Sequence, residues 1–410
     1  MQKTARLNLG QKTCSNTLNK NLLNTGIQDF ISKNLETDTL SVLLSTPSFE
    51  GASTKEVVQQ IEAAKKCKKK LPKWFYTQGI YYPLALQIEQ TSSETTAAYK
   101  AGLCPGKSLA DLSGGTGVDS FYFAKHNESV SHVEIDPILS EIVAHNFKVL
   151  GVSNIRCVAQ DATDFLMNKD RFETIYLDPS RRDHLKGKVF KLADCSPNVP
   201  ALLDTLWTKT DHILIKTSPL LDIRAGLEEL NGVSEVQAVA VGNEVKELLW
   251  ILKKGHSGPV TIKAVLLEST TTATEFETEL ATETNSLSNF SNALEYLYEP
   301  HAAVLKLGAF KSLGVQLDLR KLHEHSHLYT ATRLIDFPGR RFTIKKVLPY
   351  ANKTMKDFAK SKANVSIRNF KLSVAALRKK HSLLDGGHVY LFFTTDLHNK
   401  AVVIVCEKIK

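Results

Sequence analysis

Within this 410-residue chain, the stretch Ser108–Gly117, reading SLADLSGGTG, constrains the fold most. An apolar run, Leu109-Ala110-Asp111-Leu112, enters a glycine-rich turn, and helical spacing resumes over Val118–Lys125. Glycine has no Cβ and tolerates positive φ, so such a turn admits close approach of backbone to a ligand. The helix start after it offers free N–H groups. The same unit then recurs. A second strand, Ser131–Ile135, ends in acids and leads through Asp136-Pro137 to a helix over Ile138–Leu150. A third strand, Asn154–Ala159, closes with Gln160-Asp161-Ala162. A fourth, Glu173–Leu177, runs into Asp178-Pro179-Ser180-Arg181-Arg182. Strands alternating with helices predict an α/β doubly wound parallel sheet. Ligand sites in such sheets lie just beyond the carboxyl ends of the strands, where each of these four runs carries polar groups.

The glycine spacing is neither GxGxxG nor GxxxxGK. Glu134 lies about 20 residues past the glycine turn, the distance at which an acid takes ribose hydroxyls. Farther on, the pattern predicts a helix over Val199–Lys209, a strand over His212–Lys216 and a helix over Ile223–Leu230. Strands follow at Glu235–Val241 and Lys246–Leu252, separated by Gly242-Asn243-Glu244. So short a link permits an antiparallel pair and forbids a parallel crossover.

The glycine turn resembles the first motif of class I S-adenosylmethionine (SAM) methyltransferases, acid-x-Gly-x-Gly-x-Gly. Asp111 is the acid, Gly115 and Gly117 are the second and third glycines, and Ser113 replaces the first. Methyltransferases of this class also end their sheet in an antiparallel hairpin, and NAD-dependent dehydrogenases do not. The resemblance implies that Asp111, Ser113, Gly115 and Gly117 hold the methionine end of SAM. It implies further that Glu134 takes the ribose and that Asp161, with Ala162, takes the adenine. Phe121 and Ile135 are candidate apolar walls, with core packing as the alternative for each.

The formal net charge is +9. Basic residues gather at Lys65–Lys73, at Arg340–Lys362 and at Arg368–Lys380. Clustered cations attract phosphate backbones, whereas a solvated helix face is the plain alternative. Six cysteines without a CxxC pair point to a reducing, cytoplasmic setting and away from a disulfide framework. No apolar run reaches membrane-spanning length. The basic, acid-free opening MQKTARLNLGQKTCSNTLNK reads as a poorly ordered start, not a transit peptide.

Four regions are expected: helices over 1–80, a catalytic sheet domain over 81–256, an α+β domain over 257–338 and a last α+β module over 339–410. In the first, Lys55–Lys66 carries helical spacing behind a Ser53 or Thr54 cap. Residues 85–104 read as a helix interrupted at Gln90–Glu94, where Gln90, Ser93 and Glu94 either wall the ligand or form a capping box. Residues 270–286 read as an exposed loop or short strand, and Ala303–Leu307 as a strand. The last unit reads strand, helix, strand, helix, strand, strand, with a tight turn at 396–399.

The segments LPKW, IYYPLALQIEQTSSETTAAYKA, DLSGGTGVDSFYFA, VEIDP, YLDPSRRD and KVFKLADCSPNV together resemble a bacterial family of class I methyltransferases. In that family the catalytic domain precedes ferredoxin-like and THUMP-like domains. SIRNFKLSVAALRKKHSLLDGGHVYLFFT resembles the THUMP-like part. THUMP domains imply delivery of RNA, tRNA in the first place, to an attached modifying enzyme. The catalytic part is more distantly similar to guanine-N2 methyltransferases of tRNA and RNA caps. Methyltransferases of exocyclic nitrogens carry Asp/Asn-Pro-Pro-aromatic after the fourth strand. Asp178 and Pro179 fit that pattern, whereas Ser180 and Arg181 depart from it. A guanidinium can stack on a base or fork onto phosphate, so Arg181 or Arg182 can stand in for the aromatic; a salt-bridged turn is the alternative. Glu94 and Thr217 are further candidate substrate contacts.

His323-Glu324-His325-Ser326-His327 reads as a polar surface strand, not a metal site. Trp74, Trp207 and Trp250 read as core anchors. Cys195 lacks the proline-cysteine context of a catalytic thiol. The competing functions are methylation of a protein or small molecule, a non-catalytic SAM- or RNA-binding protein, and, against the glycine spacing, an oxidoreductase.

Overall fold

The structure, a computed structural model, describes residues 18–45, 47–169, 171–181 and 191–409. It divides into two compact units, one running up to Asp178 with residues 204–211, the other formed by 179–203 and 212–410.

The first unit opens with helices α1 (Thr25–Lys33), α2 (Thr39–Ser45), α3 (Thr54–Lys70) and α4 (Pro72–Tyr76). Ser53 caps α3: its hydroxyl accepts from the Glu56 amide while the Glu56 carboxylate accepts from the Ser53 amide. Such a box stabilises a helix start by about 1 kcal/mol. Val57 and Ile61 turn inward from α3 onto Leu22, Ile27, Ile31 and Val42. The next pair, α5 (Ala85–Gln90) and α6 (Glu94–Gly102), breaks where the sequence predicts, and Ser93 with Thr96 forms the capping box. Strands β1 (Gly106–Asp111), β2 (Asn127–Glu134), β3 (Ile155–Ala159) and β4 (Thr174–Leu177) follow, with α7 (Val118–Phe123), α8 (Pro137–Val149) and α9 (Ala162–Met167) between them. All are parallel, in the order β4-β1-β2-β3. Leu109, Ala110 and Ile175 are fully buried, as strands covered on both faces require. Asp136 and Asp161 cap α8 and α9, which places polar groups at the carboxyl ends of β2 and β3.

The second unit begins with a short antiparallel pair, β5 (Ser180–Arg181) with β6 (Cys195–Ser196). Helix α10 (Val199–Lys209), which belongs to the first unit from Asp204 on, matches its predicted bounds, and β7 (His212–Thr217) and α11 (Ile223–Glu229) follow it. Strands β8 (Val233–Val241) and β9 (Glu244–Lys253) form the expected antiparallel hairpin, and β7 pairs antiparallel with β9. Strand β10 (Thr261–Leu267) then lies parallel to β8, with β11 (Ala273–Glu279) antiparallel on its outer edge. Residues 261–279 therefore extend this sheet, where the sequence predicts the start of a separate domain at 257. His256–Pro259 is a surface turn inside the sheet. In β11 only Phe276 and Thr278 are buried, so its composition resembles a loop. Helix α12 (Leu280–Asn285) completes the 270–286 stretch.

Strands β12 (Tyr296–Pro300), β13 (Arg320–Lys321), β14 (Tyr329–Ala331), β15 (Gly339–Pro349), β16 (Asn364–Ile367), β17 (Val389–Thr395) and β18 (Ala401–Lys408) form one seven-stranded sheet, in the order β13-β14-β12-β15-β18-β17-β16. Alternate residues of β18 feed two cores. Val402, Ile404 and Cys406 meet Leu297, Phe342 and Phe392, while Val403 and Val405 meet Leu377, Leu391 and Phe393. Helices α13 (Ala302–Leu307), α14 (Phe310–Gln316), α15 (Asn352–Met355) and α16 (Val374–His381) cover it. Ala303–Leu307, expected as a strand, is helical. The His301 side chain caps it through the Ala303 amide, and Gly308 ends it at φ 71°. A short apolar run does not by itself separate strand from helix. The histidine-rich segment is the β13–β14 loop, closed by the Leu322 amide on the Leu328 carbonyl, and not a strand.

Candidate functional site

The site is built on the turn between β1 and α7. Asp111, the last residue of β1, is fully buried, and both carboxylate oxygens serve the turn. Oδ1 accepts from the Ser113 amide at 3.1 Å, and Oδ2 accepts from the Ser120 hydroxyl at 2.6 Å. Burial pushes the Asp111 carboxyl up to about 7, the bond from Ser120 opposes this, and the carboxylate of Asp119 adds to it. Asp111 thus shapes the loop from beneath.

His132 on β2 lies under the same turn, with Nδ1 3.0 Å from the Ser120 oxygen. Ser120 spends its one hydrogen on Asp111, so it accepts from His132 in the Nδ1–H tautomer. Burial holds the imidazole down at about 3, hence neutral. Its ring dictates glycine at position 114, because a Cβ there would sit 2.3 Å from His132 Cε1. Gly117 has φ +78°, and a Cβ would meet Val143 at 2.5 Å. Gly115 differs: at φ +53° its Cβ would meet nothing nearer than the Ser113 carbonyl at 3.7 Å. There the turn faces open space.

Glu134, at the end of β2, closes on this turn. One carboxylate oxygen accepts from the Gly115 amide at 2.8 Å and the other from the Asp136 amide at 2.9 Å. The carboxylate is held rigidly and keeps lone pairs for further donors. Ile135 beside it is 69% exposed, so the alternative of core packing does not hold for it. Phe121, by contrast, is buried against Trp74. Asp161 is exposed and accepts from the Thr163 amide, with Ala162 buried behind it. Asp178 is half-buried after β4, and its amide donates to the Ser113 hydroxyl at 2.5 Å. These residues of the first unit converge at the carboxyl ends of β1–β4.

A buried network that no sequence pattern announces stands behind the turn. Lys100, fully buried, pairs with Asp119 at 3.2 Å. Ser92 donates to Asp119 and accepts from Lys100, each at 2.9 Å, and the Tyr176 hydroxyl donates to Asp119 at 2.8 Å. Thr116 donates to Thr91 at 2.7 Å. The α5–α6 break is thereby fastened to the glycine turn. Lysine in a helix near alanines carries no sequence sign of such a role. Glu94 accepts from the Lys73 amide and the Tyr122 hydroxyl.

In the second unit, Pro179 is buried and Ser180 donates to the Ser196 carbonyl at 3.3 Å. Arg181 contributes backbone to β5, and Arg182 lies outside the described residues. Thr217 is buried, and its hydroxyl accepts from the Trp250 indole at 3.0 Å, an arrangement of packing.

A family model described as a ferredoxin-like domain matches residues 296–338, and one described as THUMP domain-like matches residues 339–408. The chain therefore ends in ferredoxin-like and THUMP-like domains. Their boundary falls between strands β12 and β15, which pair directly, so the two domains share one sheet. The crystal structure of a candidate methyltransferase from Porphyromonas gingivalis W83 is similar over 96% of this chain and 100% of that one, at 29% identity and a TM-score of 0.88. A candidate methyltransferase, YhhF, from Escherichia coli (19% identity, 39% and 84% coverage, TM-score 0.29) also matches. So does an rRNA methylase from Streptococcus thermophilus (11%, 39% and 94%, 0.28). These two are similar to only a part of the chain. No curated protein gives a match. The architecture is thus mixed α/β with a methyltransferase-like fold and these two C-terminal modules.

In the THUMP-like domain several cations serve the fold: Arg340 and Arg368 pair with Glu299, Lys345 with Glu407, and Arg378 with Asp385. Lys346, Lys353, Lys356, Lys360, Lys379 and Lys380 are exposed, and no ion pair engages them among the described residues. In the first cluster, Lys66 pairs with Glu89, Lys68 with Glu36, and Lys65 bonds the Thr37 carbonyl. That cluster is largely a tied helix face. Of the other sequence candidates, His327 stacks on Phe310 at 3.7 Å, and His323 bonds Asn369 and Asn399. Trp74 and Trp250 are buried, and Trp207 is half-buried. Among the described residues, no helix is long and apolar enough to cross a membrane.

Proposed function

We propose that the protein is a SAM-dependent RNA methyltransferase acting on a base exocyclic nitrogen, guanine N2 of tRNA in the first place. One observation carries the reading. Glu134 is locked by the Gly115 and Asp136 amides beside an exposed Ile135, while Asp178 is bonded to the same turn. That arrangement fits a ribose between Glu134 and an apolar ring wall, with the space over Gly115 left for the rest of the cofactor. When bound, SAM supplies a methyl group already activated for transfer. The main chain at Ser113, Gly115 and Gly117 lines the methionine end, and Ile135, Asp161 and Ala162 line the adenine.

The protein's own task is to orient the acceptor and exclude water. Asp178 accepts a hydrogen bond from the target amine, aims its lone pair and takes up its proton. Pro179 and Ser180 shape the loop after it, and Arg181 and Arg182 contact the base or phosphate. The exposed lysines of the THUMP-like domain supply salt-sensitive affinity for the RNA backbone. Cys67, Cys104, Cys157, Cys195 and Cys406 are all free thiols, which supports a reducing compartment, the cytoplasm.

The test is incubation with methyl-labelled SAM and total RNA from a strain lacking the protein, followed by digestion to nucleosides. Labelled N2-methylguanosine, absent with Asp178→Ala, is the expected result. Another labelled nucleoside would overturn the guanine assignment. No label in RNA, with SAM still bound, would move the acceptor to a protein or small molecule.

A further inference from the structure

Ser113 stands where the first-motif pattern has glycine, and its hydroxyl makes bonds that no glycine can make. The β1–β4 ladder ends at the pair Asp111 and Tyr176, with the Leu112 amide on the Tyr176 carbonyl at 3.0 Å. Two residues farther along, the Asp178 amide has passed the end of that ladder, and a backbone donor here requires another acceptor. The Ser113 oxygen provides it at 2.5 Å. The Ser113 hydroxyl in turn points to Asp111 Oδ1 at 3.4 Å, and the Ser113 amide bonds the same oxygen at 3.1 Å. A fully buried carboxylate therefore fixes the serine, and the serine fixes the backbone of Asp178.

We infer that Ser113 is a positioning residue, setting the main chain of Asp178 so that its carboxylate meets the acceptor at the right angle. The inference rests on the methyl-transfer reading above and deepens it. Misplacing a reacting group by about 1 Å costs about 100-fold in rate. A glycine at 113 preserves the tight turn, since glycine accepts its backbone conformation, and removes only the hydroxyl bridge. The departure from the glycine pattern is then the feature that joins cofactor turn to catalytic loop.

The experiment compares wild type, Ser113→Gly and Ser113→Thr in the full chain by three measurements: residue-resolved amide hydrogen exchange at Asp178, SAM affinity by calorimetry, and kcat on RNA. Ser113→Gly is expected to speed exchange at Asp178 about tenfold or more. Its kcat should fall about 10- to 100-fold while SAM affinity stays within about threefold. Ser113→Thr, which keeps the hydroxyl, should recover most of both losses. Unchanged exchange at Asp178 in Ser113→Gly would overturn the inference, as would a loss of SAM affinity as large as the loss of kcat. The exchange measurement needs no turnover. A wild type that methylates no RNA would therefore sink the RNA reading alone and leave Ser113 to be judged on Asp178 protection.

Discussion

Two buried carboxylates in this protein are treated in opposite ways. Glu299, in the seven-stranded sheet, is 2% exposed and receives two guanidiniums, Arg340 and Arg368, together with the Ser366 hydroxyl. Asp111, under the glycine turn, is as deeply buried, yet among the described residues its hydrogen bonds come from a backbone amide and two serine hydroxyls. A buried charge is compensated by a counter-charge or by a shifted pKa. Glu299 has the first, and Asp111, pushed up to about 7, has the second. The satisfied carboxylate holds a sheet together. The other, raised further by the negative charge of Asp119 and Asp178 nearby, holds the glycine turn from beneath.

The sharpest way to break this contrast is to remove one member of each region. Asp178→Ala should lower kcat by about 10²–10⁴-fold, the range for losing a general base, with the melting temperature held. Glu299→Gln should do the reverse. It strands two partly exposed arginines, so unfolding stability should drop by about 2–4 kcal/mol, read by urea denaturation, while SAM affinity is unaffected. Loss of SAM binding in Glu299→Gln would erase the distinction between the regions. Gly114→Ala comes next. Its Cβ would enter the His132 ring, and overpacking of this kind costs about 1–3 kcal/mol, here with loss of SAM binding.

Smaller effects come from pH. His132 is neutral in the fold down to about 3, against an ordinary 6.5. As pH falls from 6.5 toward 3 the unfolded chain takes up that proton first, so stability falls on acidification. Asp111 works the other way. Between its ordinary 3.8 and about 7 the unfolded chain loses the proton first, so its contribution to stability declines as pH rises through that window. The stability advantage of wild type over His132→Phe should shrink toward pH 4, and that over Asp111→Asn should shrink toward pH 8. The smallest effect belongs to the lysines. Lys379→Gln should reduce the slope of log affinity for RNA against log salt by about 0.7–1, and an unchanged slope would remove Lys379 from the RNA face.

The parallel strands, the acids at their ends and the β8–β9 hairpin were legible because each carries a local signal: an apolar run closed by an acid before helical spacing, or two apolar runs a short link apart. Even the α5–α6 break at Gln90–Ser93 showed in its hydroxyl residues. What the sequence did not disclose were contacts made across distance. The Lys100–Asp119–Tyr176 network joins three elements, and no spacing rule links them. Strand β11 was obscured because an edge strand buries only two of its residues, Phe276 and Thr278. Asp111 read as a ligand contact, since the pattern reports the residue and not the direction of its oxygens. The basic cluster at Lys65–Lys73 left open a polyanion face and a solvated helix face, and acids distant in sequence, Glu36 and Glu89, take up two of its charges.

The most direct test of the glycine turn as the methyl-donor site is calorimetric titration of SAM into the full chain and into Glu134→Ala. Saturable one-to-one binding by wild type, weakened about 30-fold or more by the loss of two ribose hydrogen bonds at about 1–1.5 kcal/mol each, is the predicted result. No binding by wild type, or equal affinity in both proteins, would contradict the account.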